Sequence, residues 1–310
     1  MARSLRIECP GAVYRIARII PYSDDIPAIH KTQENRVGRT AMRLIFFLFI
    51  VLIASSVFAA ESRLVDVATR PGVSVQMYYM KRANASATLV LLPGGNGDIG
   101  MKRGIPAAND FLVKSRDYFS AHGFNVALIG TPSDKKVLDF DFLMSSAHSD
   151  DLRSIVAYLK KDTGLPVWLV GTSRGTLSAA AAAIAFGNQE LAGIVLTSSI
   201  TSHNGKNTVP DLNLEAIRIP VLVMHHQEDA CSICRPEDTS LILKGLTHAS
   251  IKKLLLVKGG GPPSGDGDEC NARHWHGFVG MEKEAADIIS GWIEHPASTV
   301  KTKFSPYVLH

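Results

Sequence analysis

The sequence predicts an α/β domain: a mostly parallel sheet of about eight strands with helices on both faces. Two observations lead there. Short β-branched runs alternate with longer stretches of helical period, and no internal repeat or low-complexity segment interrupts them after Ala60. The run Val167-Trp168-Leu169-Val170 is apolar throughout, as a strand covered on both faces should be. The 310 residues are 46% hydrophobic and 20% charged, an ordinary globular balance. One domain of about 250 residues accommodates such a sheet.

In chain order, strands are expected at 63–69 and 73–80, an antiparallel edge hairpin turned by Pro71-Gly72. A buried strand over 87–92 ends abruptly in Pro93-Gly94-Gly95-Asn96-Gly97. A helix over 109–121 leads to a strand at 125–129. The segment 148–161 has Leu152, Ile155, Val156 and Leu159 at helical spacing, and Gly164 and Pro166 stop it. The strand at 167–170 runs through a glycine-rich turn into the alanine-rich helix 177–186. Later strands fall at 193–197, 220–224 and 252–257, with helices at 236–246 and 282–292. Only about twenty residues separate the strands ending at Thr197 and opening at Pro220, so any lid there is small or absent and the pocket open.

The N-terminal region has a different character. Arg43 precedes the apolar run Leu44 to Ile53, and Val57 and Ala59 supply small residues at −3 and −1. This is the pattern of a secretory signal peptide over residues 42–60, cleaved after Ala59 or Ala60. The run falls short of the roughly 20 residues that span a bilayer, so no stable membrane span is expected after cleavage. A signal peptide should open a chain, whereas 41 residues precede Met42. Residues 1–41 lack sustained apolar periodicity and contain Pro10, Pro21 and Pro27. They are expected to be a non-native upstream extension or disordered, with Met42 as the true start and residues 61–310 as the folded domain. A periplasmic or secreted location follows. Charge excludes another class. Of 33 Lys and Arg and 29 Asp and Glu, 8 and 4 lie in residues 1–59, which leaves 25 of each in the body. A neutral body without a basic stripe gives nucleic acid no electrostatic footprint.

Gly171-Thr172-Ser173-Arg174-Gly175 joins a predicted strand to a predicted helix. In that setting G-x-S-x-G forms a nucleophile elbow: a strained turn lifts the serine hydroxyl clear of the backbone, and the glycines avoid collisions with strand and helix. Ser173 is the candidate nucleophile.

From these residues the chain resembles the α/β-hydrolase superfamily, over nearly all of its length from about Arg63 to the last helix. The resemblance implies an acid after a later strand and a histidine before the final helix. Asp229, in His225-His226-Gln227-Glu228-Asp229, matches the acid, with Glu228 as rival; His276, in His274-Trp275-His276-Gly277-Phe278, matches the histidine, with His274 as rival. His276 would then take the serine proton and return it to the leaving group, while Asp229 fixes the imidazole tautomer. The oxyanion hole would use the backbone N–H of Arg174 and of Gly95, or Asn96. Pro93 departs from the family's usual histidine in that loop. The implied activity is hydrolysis of a carboxylic ester, or a thioester or amide, of a small molecule through an acyl-serine intermediate, with no cofactor. An acyltransferase using the same triad and a non-catalytic binding module on this scaffold are the alternatives.

Beyond Cys9, the thiols are Cys231, Cys234 and Cys270, and export favours one disulfide among the three. Pairing requires Cα atoms within about 7 Å, so the partners stay open. The same cysteines with His225, His226, Asp229, His274 and His276 are also zinc-ligand types, a reading that export disfavours. Asp266, Asp268 and Glu269 suit a solvated loop better than a calcium site. The Arg174 side chain has two expected partners: an acidic substrate group, or a carboxylate such as Asp134 or Asp150. The sequence specifies neither the substrate nor the oligomeric state.

Overall fold

The computed structural model describes residues 60–187, 189–203, 207–264 and 267–297, all within one compact unit, Phe58–His310. The expected upstream extension and all but the last residue of the expected signal peptide lie outside the described residues. Ten strands form: β1 Glu61–Arg70, β2 Val73–Lys81, β3 Thr88–Leu92, β4 Met101–Lys102, β5 Ile105–Pro106, β6 Asn125–Pro132, β7 Val167–Thr172, β8 Gly193–Thr197, β9 Val221–His226 and β10 Lys252–Val257. The helices are α1 Phe111–Ala121, α2 Phe140–Leu143, α3 Ser146–Thr163, α4 Gly175–Phe186, α5 Thr239–Gly245 and α6 Glu282–Glu294.

Eight strands form one sheet in the order β1-β2-β6-β3-β7-β8-β9-β10. The hairpin β1–β2 and the pair β2–β6 are antiparallel, and every other pair is parallel. Gly72, at φ 73°, makes the hairpin turn with a conformation that side chains disfavour. From β3 the chain goes to β6 on one side and then to β7 on the other. The carboxyl ends of β3 and β7 therefore flank a topological switch point, where open α/β sheets form their ligand crevices.

Alternation along each strand divides the core between the two faces. Val90, Leu169, Leu196 and Val223 pack under α3 and α4 with Leu152, Ile155, Leu159 and Leu177. Leu89, Leu91, Val126, Val170 and Leu222 pack under α1 and α6 with Leu112, Phe119, Ile289 and Trp292. Capping sets the helix ends: Asp110 accepts from the N–H groups of Leu112 (2.7 Å) and Val113 (3.2 Å), Ser145 from that of His148 (3.1 Å), and Gly164 closes α3 at φ 69°.

Differences from the sequence reading are local. The strand expected at 125–129 continues to Pro132, and residues 236–238 form a 3₁₀ turn ahead of α5. The described part of 198–219 holds only two 3₁₀ turns, Val209–Asp211 and Leu214–Ala216. The β4–β5 hairpin in the loop after β3 was not anticipated, because two-residue strands carry no periodicity. No described helix is long and apolar enough to cross a membrane.

Candidate active site

Ser173 follows β7 directly at φ 51°, a conformation costing a non-glycine residue about 1–2 kcal/mol. Its surroundings impose it. The Ser173 N–H donates to the Thr197 carbonyl (3.0 Å), and its own carbonyl accepts from the Thr176 N–H (3.0 Å) and Oγ1 (2.6 Å). A Cβ on Gly171 would lie 2.4 Å from the Gly175 oxygen, and one on Gly175 2.0 Å from the Leu92 oxygen. Both glycines of the motif are thus required by backbone passing within contact distance.

Across the switch point, the loop after β3 closes on the serine. A Cβ on Gly94 would meet the Ser173 Cβ at 2.8 Å. The Gly94 N–H is engaged, donating to Asp110 Oδ2 at 2.9 Å, while Oδ1 of the same carboxylate caps α1. Asp110 therefore ties the loop to the helix. Burial pushes its pKa up, against the Gly94, Val113 and Leu112 N–H groups and His276, which pull it down. Gly95 turns at φ 60°, and its N–H and that of Arg174 make no hydrogen bond within the described residues. Asp110 was missed in the sequence, although an aspartate just before the apolar run Phe111-Leu112-Val113 is an N-cap signal.

Asp229 and His276 come together. His276 Nδ1 lies 2.9 Å from Asp229 Oδ2, and Asp229 Oδ1 accepts the Cys231 N–H at 3.0 Å. Burial works to raise the Asp229 pKa, but hydrogen bonds from His225 and His276 overcome it and hold it at about 2. An ionised carboxylate only accepts, so Nδ1 of His276 carries the proton and Nε2 offers a lone pair. That Nε2 is buried without a hydrogen-bond partner, and His276 and Ser173 line one cavity. Ser198 Oγ holds the His276 carbonyl at 2.7 Å. The rivals lie elsewhere: Glu228 is exposed, and His274 is only half-buried and outside the cavity lining.

A second histidine reaches the same carboxylate. His225 Nε2 lies 2.9 Å from Asp229 Oδ2 and 2.9 Å from the Cys234 carbonyl. The sequence flagged His225 only as a metal-ligand type.

Cys231 and Cys270 form a disulfide with Cα atoms 4.6 Å apart, joining the loop of Asp229 to the loop of His276. Cys234 is free and buried, within hydrogen-bonding reach of Ser173. Burial pushes its thiol well above the ordinary value, and the Asp229 carboxylate adds to this. Cys231, Cys234 and His276 present ligand atoms within 4.8 Å of one another. The disulfide takes two of the three sulfurs a zinc site would need, so the residues as bonded do not form the ligand set considered above. Asp268 Oδ1 accepts the Cys270 N–H (2.9 Å) in its loop, and Asp266 lies outside the described residues.

The expected carboxylate partners of Arg174 are a correction. Asp134 pairs with Arg70 (3.0 Å) and Asp150 with Arg153 (3.4 Å). The Arg174 guanidinium instead donates to the Leu138 carbonyl and stacks on Phe140, 4.5 Å from the ring centroid. Arg174 is not among the residues lining the cavity.

The cavity beside Ser173 measures about 500 Å³. Its walls are the β3–α1 loop with the β4–β5 hairpin and the segment 268–277, not the short stretch 198–219. Asn96, Asp98, Lys102, Asn109, Asp268 and Asn271 line it together with Ala107, Ala108, Phe111 and Ala272, so its surface is mixed polar and apolar.

Solved structures resemble the chain. An esterase from Pyrococcus furiosus is 13% identical at a TM-score of 0.55, over 76% of this chain and 92% of its own. An α/β serine hydrolase homologue from Coxiella burnetii is 14% identical at 0.52, over 76% and 99%. A predicted hydrolase from Thermoplasma acidophilum is 15% identical at 0.52, over 76% and 98%. No family model and no curated protein matches the sequence. The chain has the α/β-hydrolase fold.

Proposed function

We propose that the protein is an exported serine hydrolase that cleaves a carboxylic ester, with Ser173 as nucleophile, His276 as general base and acid, and Asp229 as its orienting carboxylate. One observation carries the reading: a serine on a strained elbow shares a cavity with an imidazole whose Nδ1 is tied to a buried carboxylate and whose Nε2 is unpartnered. The serine proton passes to His276 Nε2 as Oγ attacks the ester carbonyl carbon. The resulting oxyanion lies between the N–H groups of Gly95 and Arg174. His276 then protonates the departing alkoxide, and water repeats the sequence to release the acid and free Ser173. The chemistry needs no cofactor. Esterase and serine hydrolase neighbours support this choice of reaction class. The cavity's limited volume and the amide and charged side chains in its mixed lining support a small ester that carries a polar group.

A fluorophosphonate probe should label the protein stoichiometrically, and Ser173→Ala should abolish both labelling and ester hydrolysis. The labelled native protein should fractionate outside the cytoplasm with Ala60 or Glu61 at its amino terminus. Labelling that survives Ser173→Ala would sink the assignment, and a cytoplasmic labelled chain retaining the 42–60 segment would sink export.

A further inference from the structure

We infer that His225 is a positioning residue for the proposed reaction: through one Nε2–H it clamps the Asp229 carboxylate to the Cys234 carbonyl and so fixes the oxygen that orients His276. This rests on the functional reading above and adds a fourth side chain to its machinery.

The hydrogen bonds decide the tautomer of His225. Both partners of Nε2, Asp229 Oδ2 and the Cys234 carbonyl, are acceptors at 2.9 Å, so Nε2 carries the proton. Nδ1 then holds a lone pair, and it is buried without a partner.

Its position follows from strand alternation. Val221, Val223 and His225 point to the face covered by α4, and His225 is fully buried there beside Cys231 and Cys234. Leu222 and Met224 belong to the other face, with His226, which stacks on Trp275 at 5.8 Å. The groups that titrate around His225 are Asp229, His276, Cys234 and His226. Asp229 thus receives three donors: His225 and His276 on Oδ2, and the Cys231 N–H on Oδ1. Without His225, the oxygen facing His276 keeps a single side-chain donor, and apart from His276 only the Cys231 N–H on Oδ1 resists rotation of the carboxyl group about its Cβ–Cγ bond. With one donor fewer, the carboxylate would also attract the His276 imidazolium more strongly.

The test compares Ser173-dependent ester hydrolysis and fluorophosphonate labelling across pH for wild type, His225→Phe and His225→Gln. His225→Phe should lower kcat about ten- to a hundredfold with little change in KM, and should move the acid limb of the pH–rate profile upward. His225→Gln places an N–H near the Nε2 position and should recover much of the loss. A purely packing role would leave the acid limb in place and give glutamine no advantage over phenylalanine, and either result overturns the inference. If the variants do not fold, ¹⁵N NMR of histidine-labelled wild type reads the tautomer directly. Nε2–H at His225 supports the clamp, and Nδ1–H overturns it. A wild type that never labels at Ser173 defeats the functional reading and this inference together, whereas a labelled wild type with indifferent His225 variants defeats this inference alone.

Discussion

His148 shows how much one buried side chain can decide. It sits on α3 with Nε2 2.9 Å from Ser178 Oγ, and burial holds its pKa down at about 4. Between pH 6.5 and 4 the unfolded chain binds this proton and the folded one does not, so stability rises with pH across that window. Acidification should therefore cost roughly 3 kcal/mol from this residue. Asp229 behaves otherwise: its pKa is depressed from 3.8 to about 2, so its contribution is present above the unfolded value and fades as pH falls through the folded one. Denaturant titrations from pH 7 to 4 should show a slope that His148→Gln flattens and that changes at Asp229 leave in place. An unaltered slope in His148→Gln would reject the assignment.

At the scale of elements, the disulfide connects the loop after β9 to the loop before α6, closing 39 residues. A loop of that length corresponds to roughly 4 kcal/mol of unfolded-state entropy. The same bond holds the segment carrying His276 against the segment carrying Asp229. Reduction, or Cys231→Ser with Cys270→Ser, should lower the melting temperature and reduce esterase activity in parallel. Activity that survives intact at temperatures where the reduced protein is still folded would mean the bond serves stability alone. The glycine motifs belong to this scale too, since Gly94, Gly171 and Gly175 are set by backbone or Cβ atoms of another element.

For the whole molecule, the sheet order places the β3 and β7 loops side by side, and the β4–β5 hairpin supplies one wall of the cavity. The lining mixes amide and charged side chains with Ala107, Ala108, Phe111 and Ala272, so the first methylenes of an acyl chain find apolar contact while the volume of about 500 Å³ limits how many fit. Across p-nitrophenyl esters of increasing chain length, kcat/KM should peak at short to medium acyl groups and fall once the chain outgrows the cavity. A steady rise toward long chains would contradict this size limit.

How much was legible in the sequence follows from how local each constraint is. The eight strands of the main sheet, the helices other than α2 and the elbow at Ser173 could be read in advance, because periodicity, turn glycines and caps act between near neighbours in the chain. The pairing of Asp229 with His276 was also expected, through the resemblance of their motifs. Tertiary structure alone decided that Cys231 pairs with Cys270, that Arg174 turns to Leu138 and Phe140, that Asp110 anchors Gly94, and that His225 shares a carboxylate with His276. These are choices among partners far apart in sequence but of the same chemical type. Only the order of strands in the sheet brings their loops within ångströms of one another.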